Sequence, residues 1–450
     1  MMNNQTSSVS VFFWSNKWAL SLSSGILLGL SFPPFPLPFL IFPAWVLLFR
    51  LADLCQSNRS AAYWSYISFV VWNLITTYWL MMATVAGGIA AILANSAVMT
   101  IPFVLHKKFQ EKYDSPWLIA PLQAAGWICY EYLHHQWDLA WPWLTLGNAW
   151  SNAPGLIQYI SITGYWSISF WILITASLAY QAIRLADKKW AYASLGIALL
   201  FPAVSLLQYQ ADEFTPTDHI EAVVIQPNFD TYHDLGGYEN IFQAQDVLYT
   251  LSDSARTDST DVIIWPENAV QTSLGSRDIS GTTTQKIKNQ LHEKAASWDV
   301  TLITGSTYFD FFSPDSIPPL ARSLGRQPHL YYNAALGFYP QKEYEVYRKR
   351  NLVPIVERIP FIHLLNTIDV FGWVDWRQLQ GYGKGRNATQ FQVDGTYTPA
   401  LVCYDSVFPN WVRQYINQGS GFISIITNDG WWGDTSGHHS ALRLRKATCH

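Results

Sequence analysis

The 450 residues are too many for one ordinary soluble domain, and 50% are hydrophobic while only 13% are charged, against about 25% charged in typical soluble domains. The shortage is uneven: nine Lys and Arg precede Gln210, and charges return at ordinary density after it, so a membrane half precedes a water-soluble half. A net charge of -4 with no basic patch gives no footing for nucleic acid, and Cys55, Cys129, Cys403 and Cys449 show neither a metal-binding spacing nor a disulfide framework.

Residues 1–16 are polar, then mixed, and are expected to be poorly ordered. Seven apolar runs follow, at about 18–32, 37–49, 63–85, 89–106, 117–134, 157–181 and 190–208. No small-residue cleavage site follows the first, which reads as an uncleaved anchor. The first two are short against the ~20 residues of a straight span. With seven spans, Lys17, Arg50, Arg59, Lys107, Lys108, Lys112, Arg184, Lys188 and Lys189 all fall on one side. The positive-inside rule puts that side, and the N-terminus, in the cytoplasm. The rest of the chain then lies on the outer face, the periplasm of a Gram-negative cell. The loop His134-His135-Gln136-Trp137-Asp138-Leu139-Ala140-Trp141-Pro142-Trp143 reads as an interfacial aromatic belt or as the lining of a lipid entry path. His134 and His135 lack a third metal ligand. Glu131 is either a functional carboxylate in a span or an interfacial group reaching to water.

From about Ile220 strands and helices alternate. Residues 222–228, 262–265, 300–304, 334–339, 400–403 and 422–427 read as strands, and 241–252 and 284–298 as helices. That order argues an α/β domain. The expected division is a membrane domain over 1–210, a linker over 211–219 and a catalytic domain over 220–450. The stretch 358–387 carries Phe361, Ile362, Leu364, Leu365, Phe371, Trp373, Val374 and Trp376, then Gly381, Gly383 and Gly385. It is long for a plain connection. It reads either as an amphipathic lid on the bilayer surface or as a segment packed on its domain.

Three short stretches carry the chemistry. Val262-Ile263-Ile264-Trp265-Pro266-Glu267 delivers a carboxylate past a buried strand, Tyr347-Arg348-Lys349-Arg350-Asn351-Leu352-Val353-Pro354 an ammonium, and Ala400-Leu401-Val402-Cys403 a thiol. Singly, Glu267 and Lys349 read as solvated charges and Cys403 as a core thiol. Together they are the parts of an activated nucleophile. A thiol of ordinary pKa about 8.5 needs a base to become a thiolate at neutral pH and a cation to hold the charge.

The order WPE, K-x-x-LVP, CYD resembles the Glu-Lys-Cys triad of the nitrilase (carbon-nitrogen hydrolase) superfamily. With Thr427-Asn428-Asp429-Gly430-Trp431-Trp432-Gly433-Asp434, Gly437-His438-His439 and the seven apolar runs, the chain is similar to the apolipoprotein N-acyltransferase family over nearly its whole length. The resemblance implies a polytopic α-helical membrane bundle followed by a nitrilase-like αββα sandwich. It implies Cys403 as nucleophile, Glu267 as general base and Lys349 as the cation facing the oxyanion, with Glu357 orienting the site. The other reading of Glu357 is a surface salt bridge with Arg358. Tyr404 and Asp405 follow the nucleophile, where many members have Glu in place of Asp405. Trp143 and Trp431, with Gln226, Asn228 and Asn428, are candidate lining residues, each with a structural role as the alternative.

The implied reaction moves an acyl chain from a membrane phospholipid through a Cys403 thioester to the α-amine of an S-diacylglyceryl-cysteine on an apolipoprotein. The implied setting is a bilayer of the bacterial inner membrane, with no metal and no organic cofactor. Members usually continue past the equivalent of residues 441–445 with more of the soluble domain and an eighth span, so a chain that stops at His450 is expected to be either a fragment or altered at its end. The rivals are a membrane-anchored amidase or nitrilase, and a non-catalytic scaffold or transporter. Seven spans argue against the first, and the intact triad against the second.

Overall fold

The computed structural model describes residues 13–449, except 212–218, 278–281, 320, 325–326, 369–371 and 380. Of the stretch 1–16 expected to be poorly ordered, residues 1–12 lie outside the described residues, as do most of the 211–219 linker and Phe371, while 13–15 are helical and Asn16 caps the next helix. Chain contacts divide the protein into a helical unit, residues 1–214 with 432–448, and an α/β unit, residues 215–431.

In the helical unit, a helix forms at each expected apolar run. These are α1 (Lys17–Ser31), α2 (Ile41–Leu54), α3 (Asn58–Thr77), α4 (Val85–Lys112), α5 (Pro116–His134), α6 (Ser167–Leu185) and α7 (Lys188–Ala211). Side chains start two of them. Asn16 accepts from the backbone N–H groups of Trp18 and Ala19, and Ser57 accepts from that of Ser60. Three helices, Val85–Lys112, Ser167–Leu185 and Lys188–Tyr209, are long and apolar enough to cross a membrane. The sixth run does not form one continuous helix. Gly164, at φ +82°, breaks it between a short turn at Ile160–Thr163 and α6. The core is aromatic: Trp45, Phe49, Phe69, Trp72, Trp127 and Trp171 are buried.

Polar groups inside this core hold one another. Trp137 Nε1 donates to His134 Nδ1 at 2.9 Å, and indole nitrogen is a donor only. The His134 proton therefore sits on Nε2, 3.0 Å from Asn95 Oδ1. Asn95 passes the chain to Asn73 Oδ1 at 2.8 Å, and Asn73 ends it on the Phe69 carbonyl at 2.8 Å. Glu131 is buried rather than reaching to water. Its Oε1 accepts from Trp127 Nε1 at 3.0 Å and from the Leu146 N–H at 2.8 Å. Trp143 is buried too, edge-on to Trp79.

The α/β unit is built on a seven-stranded sheet. Its strands are β1 (Ala222–Val224), β2 (Val262–Ile264), β3 (Val270–Gly275), β4 (Thr301–Phe311), β5 (Arg322–Leu324), β6 (Gln327–Phe338) and β7 (Glu345–Arg348). The order is β1-β2-β4-β6-β5, with β3 also on β4 and β7 also on β6. β1, β2 and β4 are parallel, and β4, β6 and β7 run antiparallel in turn. Every residue of β2 is buried, as expected for a parallel strand covered on both faces. Helices α8 (Ile241–Ala255) and α9 (Thr283–Trp298) cover the sheet, capped by Asn240 and Thr282. Trp265 Nε1 ties the end of β2 to α8 through Ser252 Oγ at 2.9 Å. A hairpin, β8 (Phe391–Val393) and β9 (Thr396–Thr398), turns at Asp394-Gly395, and β10 (Ala400–Val402) pairs parallel with β11 (Ser424–Ile426). Helix α10 (Pro409–Asn417) follows the turn after β10, and α11 (Gly437–Cys449) closes the described chain.

Candidate active site

Three strand ends supply the three groups. β2 continues as Trp265, whose N–H donates to the Ile303 carbonyl at 2.8 Å. Pro266 has no N–H, so the ladder stops there and Glu267 turns out of the sheet. A Cβ on Gly305 would lie 2.6 Å from Glu267 Cα, so glycine alone permits that approach. β7 carries its ladder one residue further, from the Lys349 N–H to the Asn333 carbonyl at 2.8 Å, and so presents Lys349 at the same end. β10 ends in Cys403, which takes φ +47° at the head of a turn over 403–407. A non-glycine residue in that region is strained, and such strain concentrates at functional sites. Ser406 Oγ donates to the Cys403 carbonyl at 2.6 Å and steadies the turn.

Glu267 and Lys349 meet. Lys349 Nζ lies 3.4 Å from Glu267 Oε1 and 2.8 Å from Glu357 Oε1. Lys349 is 1% exposed and Glu267 7%. Burial works against the ammonium, yet Glu357, Glu267 and Cys403 outweigh it and raise its pKa. Lys349 is therefore a fixed cation at physiological pH. Glu357 is not in a surface pair with Arg358. Its Oε1 takes Lys349, its Oε2 accepts from the Val353 N–H at 2.7 Å, and the Arg358 guanidinium goes to the Tyr382 carbonyl at 2.8 Å. The Cys403 thiol lies near enough to raise the Lys349 pKa when ionised.

Two family profiles match the chain. Residues 24–178 match the apolipoprotein N-acyltransferase N-terminal domain, and residues 237–448 match the carbon-nitrogen hydrolase domain. An apolipoprotein N-acyltransferase of Chlorobaculum tepidum is 28% identical, over 96% of this chain and 83% of its own. One from Pseudomonas syringae is 23% identical, over 94% and 81%. Apolipoprotein N-acyltransferase 2 of Treponema denticola is 26% identical, over 87% and 74%. The chain belongs to the apolipoprotein N-acyltransferase family. Its α/β unit has the carbon-nitrogen hydrolase fold.

The remaining candidate residues divide. Asp405, two residues past Cys403, is fully buried. Its Oδ1 accepts from the Asn351 N–H at 2.7 Å and Asn351 Nδ2 at 2.9 Å. Its Oδ2 accepts from Tyr347 Oη at 2.6 Å and the Arg350 N–H at 3.3 Å. One carboxylate thus ties the nucleophile turn to the residues on both sides of Lys349. Tyr404 is buried edge-on to Phe408. Asn428 joins the site through its backbone, whose N–H donates to Glu267 Oε2 at 3.1 Å, while its Oδ1 holds Thr231 Oγ1 and the Gly430 N–H. Trp431 is exposed and edge-on to Tyr232, whose hydroxyl donates to the Trp431 carbonyl at 2.9 Å. Gln226 is exposed, and Asn228 takes φ +56°. Trp143 belongs to the helical unit. Sequence reasoning passed over Asn333, whose Nδ2 donates to both Glu267 Oε1 and Glu357 Oε1 at 2.7 Å. The available signal was a lone amide in the apolar run Leu330-Tyr331-Tyr332-Asn333-Ala334-Ala335-Leu336.

Sequence reasoning also took Gly381, Gly383 and Gly385 as the end of the long 358–387 segment. They are a strap behind the site. The N–H groups of Tyr382, Gly383 and Gly385 donate to the carbonyls of Glu357, Tyr331 and Lys349 at 2.8, 2.6 and 2.9 Å. A Cβ on Gly385 would sit 1.9 Å from the Arg348 carbonyl oxygen. Gly385→Ala should therefore destabilise the α/β unit by about 1–3 kcal/mol and slow Cys403 chemistry by displacing Lys349. Thermal melts and alkylation rates check this, and wild-type values for both would rule the strap out.

Burial raises the Asp405 carboxyl to about 6 from 3.8, against the lowering effect of Tyr347, Lys349 and the two backbone N–H groups. The folded state then holds this proton more tightly than the unfolded chain. That contribution to stability is complete below pH ~4 and is lost as pH rises through 6, at up to about 1.4 kcal/mol per unit. Asp405→Asn does not titrate and leaves donors unmatched. Its stability deficit against wild type should be largest near pH 4 and smallest above pH 6. Paired denaturation curves across that range read it, and a deficit growing with pH would reverse the assignment.

Proposed function

We propose that this chain transfers an acyl group from a membrane phospholipid to the N-terminal α-amine of a diacylated apolipoprotein, through a thioester on Cys403. The observation that carries this is the buried Lys349 ammonium, held by Glu267 and Glu357 and within electrostatic range of the Cys403 thiol, in a chain of this family. Glu267 takes the thiol proton. The thiolate adds to the ester carbonyl, and the Lys349 cation faces the oxyanion that forms. The ester C–O bond breaks, the leaving oxygen takes the proton back from Glu267, and a lysophospholipid departs. The neutral α-amine then adds to the thioester, Glu267 accepts its proton, and the C–S bond breaks to give the amide. Glu267 returns that proton to the thiolate, which restores the starting state. The partners are thus two lipid substrates and a bilayer.

The helical unit fits a multi-pass bundle of seven spans in the bacterial inner membrane. The one-sided Lys and Arg pattern supports cytoplasmic ends for that charge cluster and a periplasmic α/β unit. Intact-mass measurement of the purified protein after incubation with phospholipid is the direct test. A hydroxylamine-sensitive adduct of one acyl chain is expected on wild type and absent from Cys403→Ala. No adduct on wild type would sink the phospholipid half-reaction and favour amide hydrolysis by the same residues.

Four described residues in and beside the 358–387 segment supply a lipid-facing surface in this reading. Val356, Leu364, Ile368 and Trp373 are exposed, Trp373 at 85%. Ile362 and Trp376 of the same segment are buried with Ile359, Leu365 and Val374 against them, so these four are among the apolar side chains left exposed to a lipid. Ser at both Leu364 and Trp373 should raise the KM for micellar phospholipid several-fold while leaving iodoacetamide alkylation of Cys403 unchanged. An unchanged KM would remove this segment from lipid contact.

A further inference from the structure

Asn333 sits on β6 opposite Thr307, 2% exposed, between two carboxylates. Its orientation is settled by its neighbours. Glu267 Oε1 and Glu357 Oε1 both lie 2.7 Å from the same atom, and a carbonyl oxygen there would face two acceptors. The atom is therefore the amide nitrogen, and both its protons are committed. Asn333 Oδ1 is buried with no hydrogen-bond partner among the described residues, so the carboxylates alone fix the amide.

The distances divide the work between two donors. Lys349 Nζ is 2.8 Å from Glu357 and 3.4 Å from Glu267. Glu267 is thus held more closely by a neutral amide than by the ammonium. A neutral donor fixes the position of a carboxylate without adding a charge beside it. The same division leaves Lys349 less engaged with the base and freer to face negative charge on sulfur or on an oxyanion.

We propose that Asn333 is a positioning residue for the thiol chemistry: its one nitrogen bridges Glu267 and Glu357, sets their spacing without adding charge, and keeps Glu267 from collapsing onto Lys349. This rests on the roles given above to Glu267, Lys349 and Cys403. The charged and titratable groups around the bridge are Glu267 after β2, Lys349 and Glu357 after β7, Cys403 and Asp405 after β10, and the Tyr347 phenol behind Asp405. The loop after β11 contributes the Asn428 N–H to Glu267. Counting Glu267, Glu357 and Lys349, the cluster carries one excess negative charge, and proton transfer from Cys403 to Glu267 leaves the total unchanged.

The test uses the full chain in detergent and follows iodoacetamide alkylation of Cys403 against pH, read on the Cys403 peptide by mass spectrometry. Asn333→Asp is the same size and adds a negative charge, so the thiolate forms at higher pH. Alkylation near pH 7 should fall at least tenfold, with the profile displaced upward. The double variant Asn333→Asp with Glu357→Gln restores the charge count and exchanges the amide with the carboxylate, and should bring the profile back toward wild type. A wild-type profile for Asn333→Asp overturns the proposal. If Asn333→Asp does not fold, the double variant decides: a near-wild-type profile supports the bridge, and one displaced by a unit or more overturns it. Thiolate formation is read without a lipid substrate. A missing acyl adduct on wild type would therefore count against acyl transfer, while the alkylation profiles still decide the role of Asn333.

Discussion

The α/β unit is arranged around a cation that water cannot reach. Moving an ammonium out of water costs several kcal/mol even after relaxation, and removing one partner of a buried pair leaves a charge with nothing against it. Lys349 is tolerable because two carboxylates meet it, and those carboxylates are tolerable because Asn333, the Val353 N–H and the Asn428 N–H occupy their remaining oxygen positions. Each of these donors comes from a different part of the chain. The cluster therefore forms only when β2, β6, β7 and the loop after β11 are all in place, and folding and site assembly become one event.

The backbone serves the same constraint. Strand ends deliver the reactive groups, but residues without side chains let the delivery be close. Gly305 admits Glu267, and Gly385 admits the Lys349 segment. Cys403 and Asn268 both sit at positive φ next to the reactive strand ends, where the chain must leave the sheet sharply. The helical unit handles buried polarity differently. Its chain from Trp137 through His134, Asn95 and Asn73 to a backbone carbonyl is neutral throughout, and both Asn amides also reach Met99 Sδ. An apolar bundle holds such a chain without a counter-ion, at the cost of fixing the histidine tautomer.

Much of this was legible in the sequence where a period or a motif was strong. β2, β10, α8 and α9 lie where the apolar pattern puts them, and helices form at all seven apolar runs. What pattern could not give was set by partners distant in the chain. β3 begins two residues after Asn268 turns at φ +54°, and it pairs with β4 through an irregular register that no local period encodes. β7 has four residues, too few for alternation to declare itself. The sixth run looked continuous because Gly164 is a small matter to hydropathy and a large one to φ. The roles of Asn333 and the glycine strap were not legible for a related reason. Their importance lies in what they touch, and those contacts join residues far apart in sequence.

Asp405 shows how far chemistry can be read from residue type alone. By resemblance it is one methylene short of the glutamate found in many relatives, which suggested a weakened role. The structure gives the short carboxylate four donors, two of them the backbone N–H groups of Arg350 and Asn351. Trp411 in turn donates to the Tyr347 hydroxyl at 3.0 Å, so that the phenol is fixed before it reaches Asp405. A side chain that grips main chain needs reach only to the backbone it grips. The segment carrying Lys349 comes to Asp405 closely enough that both oxygens are used, and a longer arm in the same place would have to displace that segment or fold back on itself. The length of residue 405 and the position of Lys349 are therefore one constraint, which makes the nucleophile turn and the cation move together or not at all.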